Sequence, residues 1–157
     1  MFFDRLNDKA TPRSKEKIQA TIKPLNYNDK ILVAWGEAIS GNSKIRDFLI
    51  KNGYQELGLF CFALTNDIKS LQWLLKNGYP HLAALVKATE GDQQALDWLN
   101  HYKFDLLKFM ALAAQGNKSA IAWLQRKDPF AMQLAYKIKI VKDRIDERNN
   151  DVHQINP

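Results

Sequence analysis

The feature that most constrains this chain is a period of 25 residues, repeated four times without a gap between residues 41 and 140. The copies begin at Gly41, Asn66, Gly91 and Gly116. Seven residues on stand Phe48, Trp73, Trp98 and Trp123, followed by Leu49, Leu74, Leu99 and Leu124. An unbroken period of this length marks a supersecondary unit that stacks on its neighbours. The units share a core that none of them can close alone.

The second half of each unit carries apolar residues at i, i+3, i+4 and i+7. Leu57, Phe60, Cys61 and Leu64 show the pattern, as do Leu107, Met110, Ala111 and Ala114. That spacing is one face of a helix. The first half has Ser70, Trp73, Leu74 and their equivalents, again three and four apart, and strict alternation is absent, so strands are not expected. Gly-Asn, Asn-Asp and Gly-Asp pairs open the first helix, where the Asn or Asp can accept from free amides. Asn52-Gly53 and Asn77-Gly78 close it with a residue suited to a left-handed helix end. Pro80 falls at the start of the second helix, where its missing N–H costs nothing. Helices this short need tertiary packing. The fold class is therefore all-α: a short right-handed α-solenoid of stacked helix–turn–helix repeats.

The ends are expected to be irregular. Residues 14–40 form a degenerate cap, with a helix from Ser14 that stops before Pro24 and a second-type helix from Ile31 to Ser40. Its Leu32, Trp35, Gly36 and Ile39 match Leu57, Phe60, Cys61 and Leu64. Repeats at 41–65, 66–90, 91–115 and 116–140 follow. The apolar stripe Leu134, Ile138, Val141 and Ile145 has no stop signal, so one closing helix capped by Asp128 is expected to about residue 148. The domain thus spans 14–148. Residues 1–13 are expected to be flexible and 149–157 a disordered tail.

At these residues the chain resembles ankyrin repeats. The resemblance rests on Ala38-Ile39-Ser40-Gly41-Asn42 running to Phe48-Leu49 and Asn52-Gly53, and on Ala63-Leu64-Thr65-Asn66-Asp67 running to Trp73-Leu74-Leu75-Lys76-Asn77-Gly78. It extends through all four units, about two thirds of the chain. The family repeat is about 33 residues long, and the piece absent here is where the family carries its β-hairpin. The resemblance implies helix pairs without projecting hairpins, a second helix lining the concave side, and protein–protein recognition as the role.

Composition narrows the function classes. At 157 residues with 46% hydrophobic content the chain is one domain and not generally disordered. No apolar run approaches the length of a membrane span, and the N-terminus does not read as a secretory signal. The lone Cys61 falls on a core face; with no internal disulfide available, a cytoplasmic location is expected. The net charge of +6 leaves acidic partners and nucleic acid open. The histidines His81, His101 and His153 lack metal-ligand spacing, and no phosphate-binding Gly loop is present. No cofactor is expected, and the chain reads as a non-enzyme. An enzyme reading falls back on Asp97 and Asp105 by exclusion alone.

A repeat turns sequence columns into surface stripes. The aromatic column from Phe48 to Trp123 reads as core rather than a ladder for stacking bases. Tyr54, Tyr79 and Phe104 read as plugs between stacked units. Phe62, Lys87, Leu112 and Lys137, with Phe109, lie off the apolar set on the second helices and form the candidate partner-binding strip. A protein partner held on this groove side is the first functional expectation. Lys51, Lys76, His101 and Arg126 form a basic column. Each falls in a last helical turn, where the helix dipole stabilises a cation. The same column suits phosphate contacts, so nucleic-acid binding along this lysine-rich edge is the alternative.

Overall fold

The computed structural model describes residues 21–155. Among these residues there are nine helices and no strand. The expected flexible stretch 1–13 and the expected helix from Ser14 lie outside the described residues, up to residue 20. From Ile22 to Asn28 the chain is non-helical.

The helices are α1 Asp29–Ile39, α2 Ser43–Lys51, α3 Gln55–Leu64, α4 Ile68–Lys76, α5 Pro80–Thr89, α6 Gln93–His101, α7 Asp105–Ala114, α8 Lys118–Lys127 and α9 Pro129–Ile155. The first helices of the four units are α2, α4, α6 and α8. The second-type helices are α1, α3, α5, α7 and α9. Consecutive helices pack against one another throughout, so the protein is an all-α helical-repeat solenoid.

The punctuation explains the boundaries. Asn42 Oδ1 accepts from Ile45 N, Asp67 Oδ1 from Lys69 N, Asp92 Oδ1 from Gln94 N and Ala95 N, and Asn117 Oδ1 from Ala120 N. Such caps are each worth about 1 kcal/mol. At the other end one bond recurs in three units: Tyr54 N to Leu49 O, Tyr79 N to Leu74 O and Phe104 N to Leu99 O, all at 2.9 Å. It requires a left-handed residue just before the donor, supplied by Gly53 (φ 92°), Gly78 (φ 90°) and Lys103 (φ 62°). Lys103 holds a glycine's place at a cost of about 1 kcal/mol.

The core follows the expected columns. Leu57, Phe60, Cys61 and Leu64 are buried, as are Leu107, Met110, Ala111 and Ala114, and of the α1 set only Leu32 is half-buried. The Trp35 and Phe60 rings meet edge-on with centroids 5.1 Å apart. Gly58 lies where α2 and α3 approach closely: a Cβ there would meet Ile50 and would sit 3.1 Å from the Arg46 carbonyl oxygen.

Each second-type helix packs on the next, α1 on α3, α3 on α5, α5 on α7 and α7 on α9, and α9 then packs back on α1. The five second-type helices therefore form a closed ring, with the first helices outside it. Ala131, Leu134, Ala135 and Ile138 of α9 are buried in the shared core. At the seam, Lys137 Nζ lies 3.4 Å from Glu37 Oε1 and 3.3 Å from Ser40 Oγ. Past the seam α9 continues beyond the C-termini of the other ring helices. There Lys142, 9% exposed, donates to the Leu64 carbonyl at 2.8 Å and to Glu90 Oε1 at 2.7 Å.

Two boundaries differ from expectation. Helix α1 begins at Asp29, because Asn28 Oδ1 caps it by accepting from Ile31 N at 3.0 Å. Helix α9 runs to Ile155, past the expected end near 148, so most of the expected disordered tail is helical. Residues 149–155 contain neither Gly nor Pro, and the first breaker is Pro157.

Candidate functional site

The strip expected to bind a partner does not line an open channel, because the ring is closed. Lys87 and Lys137 line two separate clefts, Phe62 and Phe109 pack against side chains of first helices, and Leu112 is half-buried. Phe62 is half-buried under the Arg46 guanidinium of α2, 4.2 Å from the ring centroid. Lys87 is half-buried, with its Nζ 3.5 Å from Glu90 Oε2. It shares a cleft of about 210 Å³ with Ala63, Ile68 and Leu71. Ile68 is 68% exposed, the most exposed of the large apolar side chains among the described residues. Phe109 stacks on Trp123 of α8 at 4.2 Å, with Lys108 Nζ 4.8 Å over its ring. Leu112 is half-buried, and Lys137 faces Glu37 of α1.

The basic column is regular. Lys51, Lys76, His101 and Arg126 each fall in the last turn of a first helix, and all four are exposed. The His101 ring meets Tyr102 edge-on at 4.9 Å.

The aromatic column is uneven. Trp98 is fully buried, Trp73 and Trp123 are half-buried, and Phe48 is 51% exposed. Trp98 is covered by Tyr102 at 4.8 Å and Phe104 at 5.8 Å. In the preceding units the position of Tyr102 belongs to Asn52 and Asn77, whose Nδ2 groups donate to Phe48 O and Trp73 O. An asparagine satisfies the helix end but covers no ring. The Tyr54, Tyr79 and Phe104 column sits at the first-to-second turns: Tyr79 stacks with Trp73 and with His81, and His81 meets Phe104 at 5.1 Å.

This aromatic edge borders a cleft of about 580 Å³. The segment 22–25 forms one wall, tied down where Lys23 N donates to the Gly78 carbonyl at 2.8 Å. His81 of α5 and the stretch from Tyr102 to Leu107 form the other. Two buried polar groups stand out. The His81 ring is 1% exposed, and its approach to the Lys23 backbone falls short of full hydrogen-bond geometry. The Tyr102 hydroxyl is unpartnered, in a residue 4% exposed. Each such group costs about 1–3 kcal/mol while it lacks a partner. Burial holds the His81 imidazole down to about 4, against the smaller opposing effect of the Lys23 backbone, so the ring is neutral at pH 7.

Sequence reasoning set His81 aside for lack of metal-ligand spacing and did not consider Tyr102. The signal was in the columns. Ile31, Glu56, His81, Leu106 and Ala131 share one repeat position. Glu56 and His81 are its polar members, and the Tyr27 hydroxyl donates to Glu56 Oε1 at 2.6 Å.

Cys61 is 8% exposed, and burial pushes its thiol up to about 12. A thiol so placed is not a nucleophile at neutral pH. Among the described residues no three His, Cys, Asp or Glu side chains cluster to hold a metal ion. No helix there is long and apolar enough to cross a membrane. Comparison with family models, with curated proteins and with solved structures returns no significant match, so function rests on the residues of the chain itself.

Proposed function

We propose that the protein is a non-enzymatic interaction module: an ankyrin-like helical array that holds a protein partner along its side clefts. The contacts would come from Phe62, Lys87, Phe109, Leu112 and Lys137. The observation that carries this reading is the cleft beside Lys87, where Ile68 leaves 68% of its surface in water. An exposed branched apolar side chain beside a half-buried lysine has the chemistry of an interface anchor with a polar rim. The buried free thiol of Cys61 accords with a reducing cytoplasm.

A photo-crosslinking residue placed at Ile68 tests it, with Phe62→Asp and Leu112→Asp as comparison variants whose helicity is checked. Crosslinking to one defined protein, lost in folded variants and unaffected by nuclease, supports the reading. Crosslinks scattered over unrelated proteins, equal in wild type and variants, refute it.

A second reading is favoured by one observation: Lys51, Lys76, His101 and Arg126 are all exposed, in register, and in no ion pair among the described residues. Such an edge suits phosphates spaced along a nucleic acid. Binding to duplex DNA would then weaken with salt, with a log–log slope of about −0.9 per phosphate neutralised. No binding at low salt rejects it.

A further inference from the structure

Before α1 the chain crosses one mouth of the ring. Residues 22–28 are non-helical, and they reach the first turn of every ring helix. Asn28 caps α1 by accepting from Ile31 N. The Tyr27 hydroxyl donates to Glu56 of α3 at 2.6 Å. The Lys23 backbone approaches the His81 ring of α5. Leu25 lines one cleft with Leu106 of α7 and Phe130 of α9. Glu56, His81, Leu106 and Phe130 are each the second residue of their helix, so the segment lies across one end of the ring.

Little fastens this segment between its ends. Lys23 N donates to Gly78 O at 2.8 Å, and Lys23 Nζ lies 5.5 Å from the Tyr79 ring centroid. The Tyr27 ring meets Tyr54 edge-on at 6.0 Å. Among the described residues, Pro24, Leu25 and Asn26 make no hydrogen bond to the ring. Packing beneath them is incomplete. Leu25 borders both the cleft of about 580 Å³ and a second one of about 180 Å³. The second is lined by Trp35, Leu107, Met110 and Leu134, all buried. A stretch with few hydrogen bonds and space below it sits at the low end of local stability. Asn28 differs: it is bound into α1 through Ile31 N and Leu32 N.

We propose that residues 22–27 form a strap that lifts off the mouth as a unit while the five ring helices stay packed. The Tyr27–Glu56 bond is the latch, and the step from Tyr27 to Asn28 is the hinge. Lifting removes Leu25 from between the two clefts and makes them continuous. It also bares the apolar face of Trp35, Leu107 and Met110. The closed protein hides this core face, and the open one presents it. No residue of the strap belongs to the side clefts of the partner-binding reading, so the two stand or fall separately.

Native-state hydrogen exchange of the full-length chain tests the strap, read at the Lys23 amide and at buried ring amides such as Ala111 and Ile138. Lifting exposes far less surface than unfolding. Exchange at Lys23 should therefore hardly change in low urea, while the ring amides accelerate with the slope of global unfolding. Tyr27→Phe removes the latch oxygen and should speed Lys23 exchange about tenfold, the range of a hydrogen bond to a charged group. Leu124 of α8 is buried and lines neither strap cleft. Leu124→Ala should speed the ring amides at least about thirtyfold and leave Lys23 within about twofold of wild type. If Leu124→Ala does not fold, the urea slopes and Tyr27→Phe decide. A Lys23 urea slope equal to that of the ring amides overturns the proposal, because the segment then opens only by global unfolding. So does an unprotected Lys23 amide, a Leu124→Ala effect as large at Lys23 as in the ring, or a Tyr27→Phe rate within about twofold of wild type.

Discussion

Lys142→Met isolates the one charged side chain by which α9 grips the ends of two ring helices. The substitution keeps the aliphatic stem and removes the ammonium. The Lys142 side chain is 11% exposed, and its ammonium bonds Leu64 O at 2.8 Å and pairs with Glu90 Oε1 at 2.7 Å. A hydrogen bond to a charged group contributes about 1.5–3 kcal/mol when both partners are dry. The Glu90 side chain is 27% exposed and so recovers water when its partner goes, which discounts the ion-pair part. The net loss works out at about 2 kcal/mol. Urea unfolding followed by helical circular dichroism reads it directly, and in a melt it corresponds to a fall of about 4–8 °C. Glu90→Gln keeps an acceptor and should cost about 1 kcal/mol or less. Adding it to Lys142→Met should cost little more, which gives a coupling of about 1 kcal/mol in a double-mutant cycle. Lys139→Ala is the control: its bond to Asp143 is i,i+4 and exposed, so it should cost only about 0.3–0.5 kcal/mol. A Lys142→Met loss no larger than the Lys139 control, or a coupling near zero, would refute the grip.

Three further outcomes follow from packing and burial. Gly58→Ala should destabilise by about 1–3 kcal/mol, since its Cβ meets a backbone oxygen at 3.1 Å; Gly36→Ala should cost less, because its nearest neighbour is the flexible end of Lys137. Denaturant midpoints compare the two. Trp98→Ala should cost about 3–5 kcal/mol and Phe48→Ala about 1 kcal/mol or less, although the two residues share a repeat column, because one is fully buried and the other 51% exposed. The His81 ring, ordinarily near 6.5, is held at about 4 by burial. Between these values the unfolded chain takes up a proton that the folded chain refuses. Stability should therefore fall by up to about 3 kcal/mol as pH drops from 6.5 toward 4, with no contribution from this group above 6.5. In urea titrations across this range, a folded His81→Phe variant should lose that share of the pH dependence, and an unchanged profile would reject the assignment.

Much of the architecture is legible in the sequence because repeat punctuation is local chemistry. Asn42, Asp67, Asp92 and Asn117 each cap the helix they precede, and the apolar columns of the second helices are the core. Ring closure is not legible in this way. The period fixes which faces meet, but curvature accumulates from small differences in how closely helices approach, as at Gly58 beside α2 and Gly36 beside Lys137. The end of α9 is hard to read from the sequence because 149–155 hold no strong helix signal and also no breaker. A repeat column suggests uniform burial of its aromatic rings; the neighbouring column, Asn52 and Asn77 against Tyr102, decides which ring is covered. The His81 cleft escaped notice because its partners, Lys23 and Leu25, come from outside the repeats.

Closure of the ring is tested most directly by a distance between α1 and α9. Val33 and Gln133 are exposed residues lining one cleft at the seam, and spin labels at Val33→Cys and Gln133→Cys, in a Cys61→Ala background, report it by pulsed electron resonance. A closed ring predicts one narrow distribution below about 20 Å, as for adjacent helices 8–10 Å apart. An open solenoid places the two helices four packing steps apart, roughly 30–40 Å, and a distribution centred there would contradict the account.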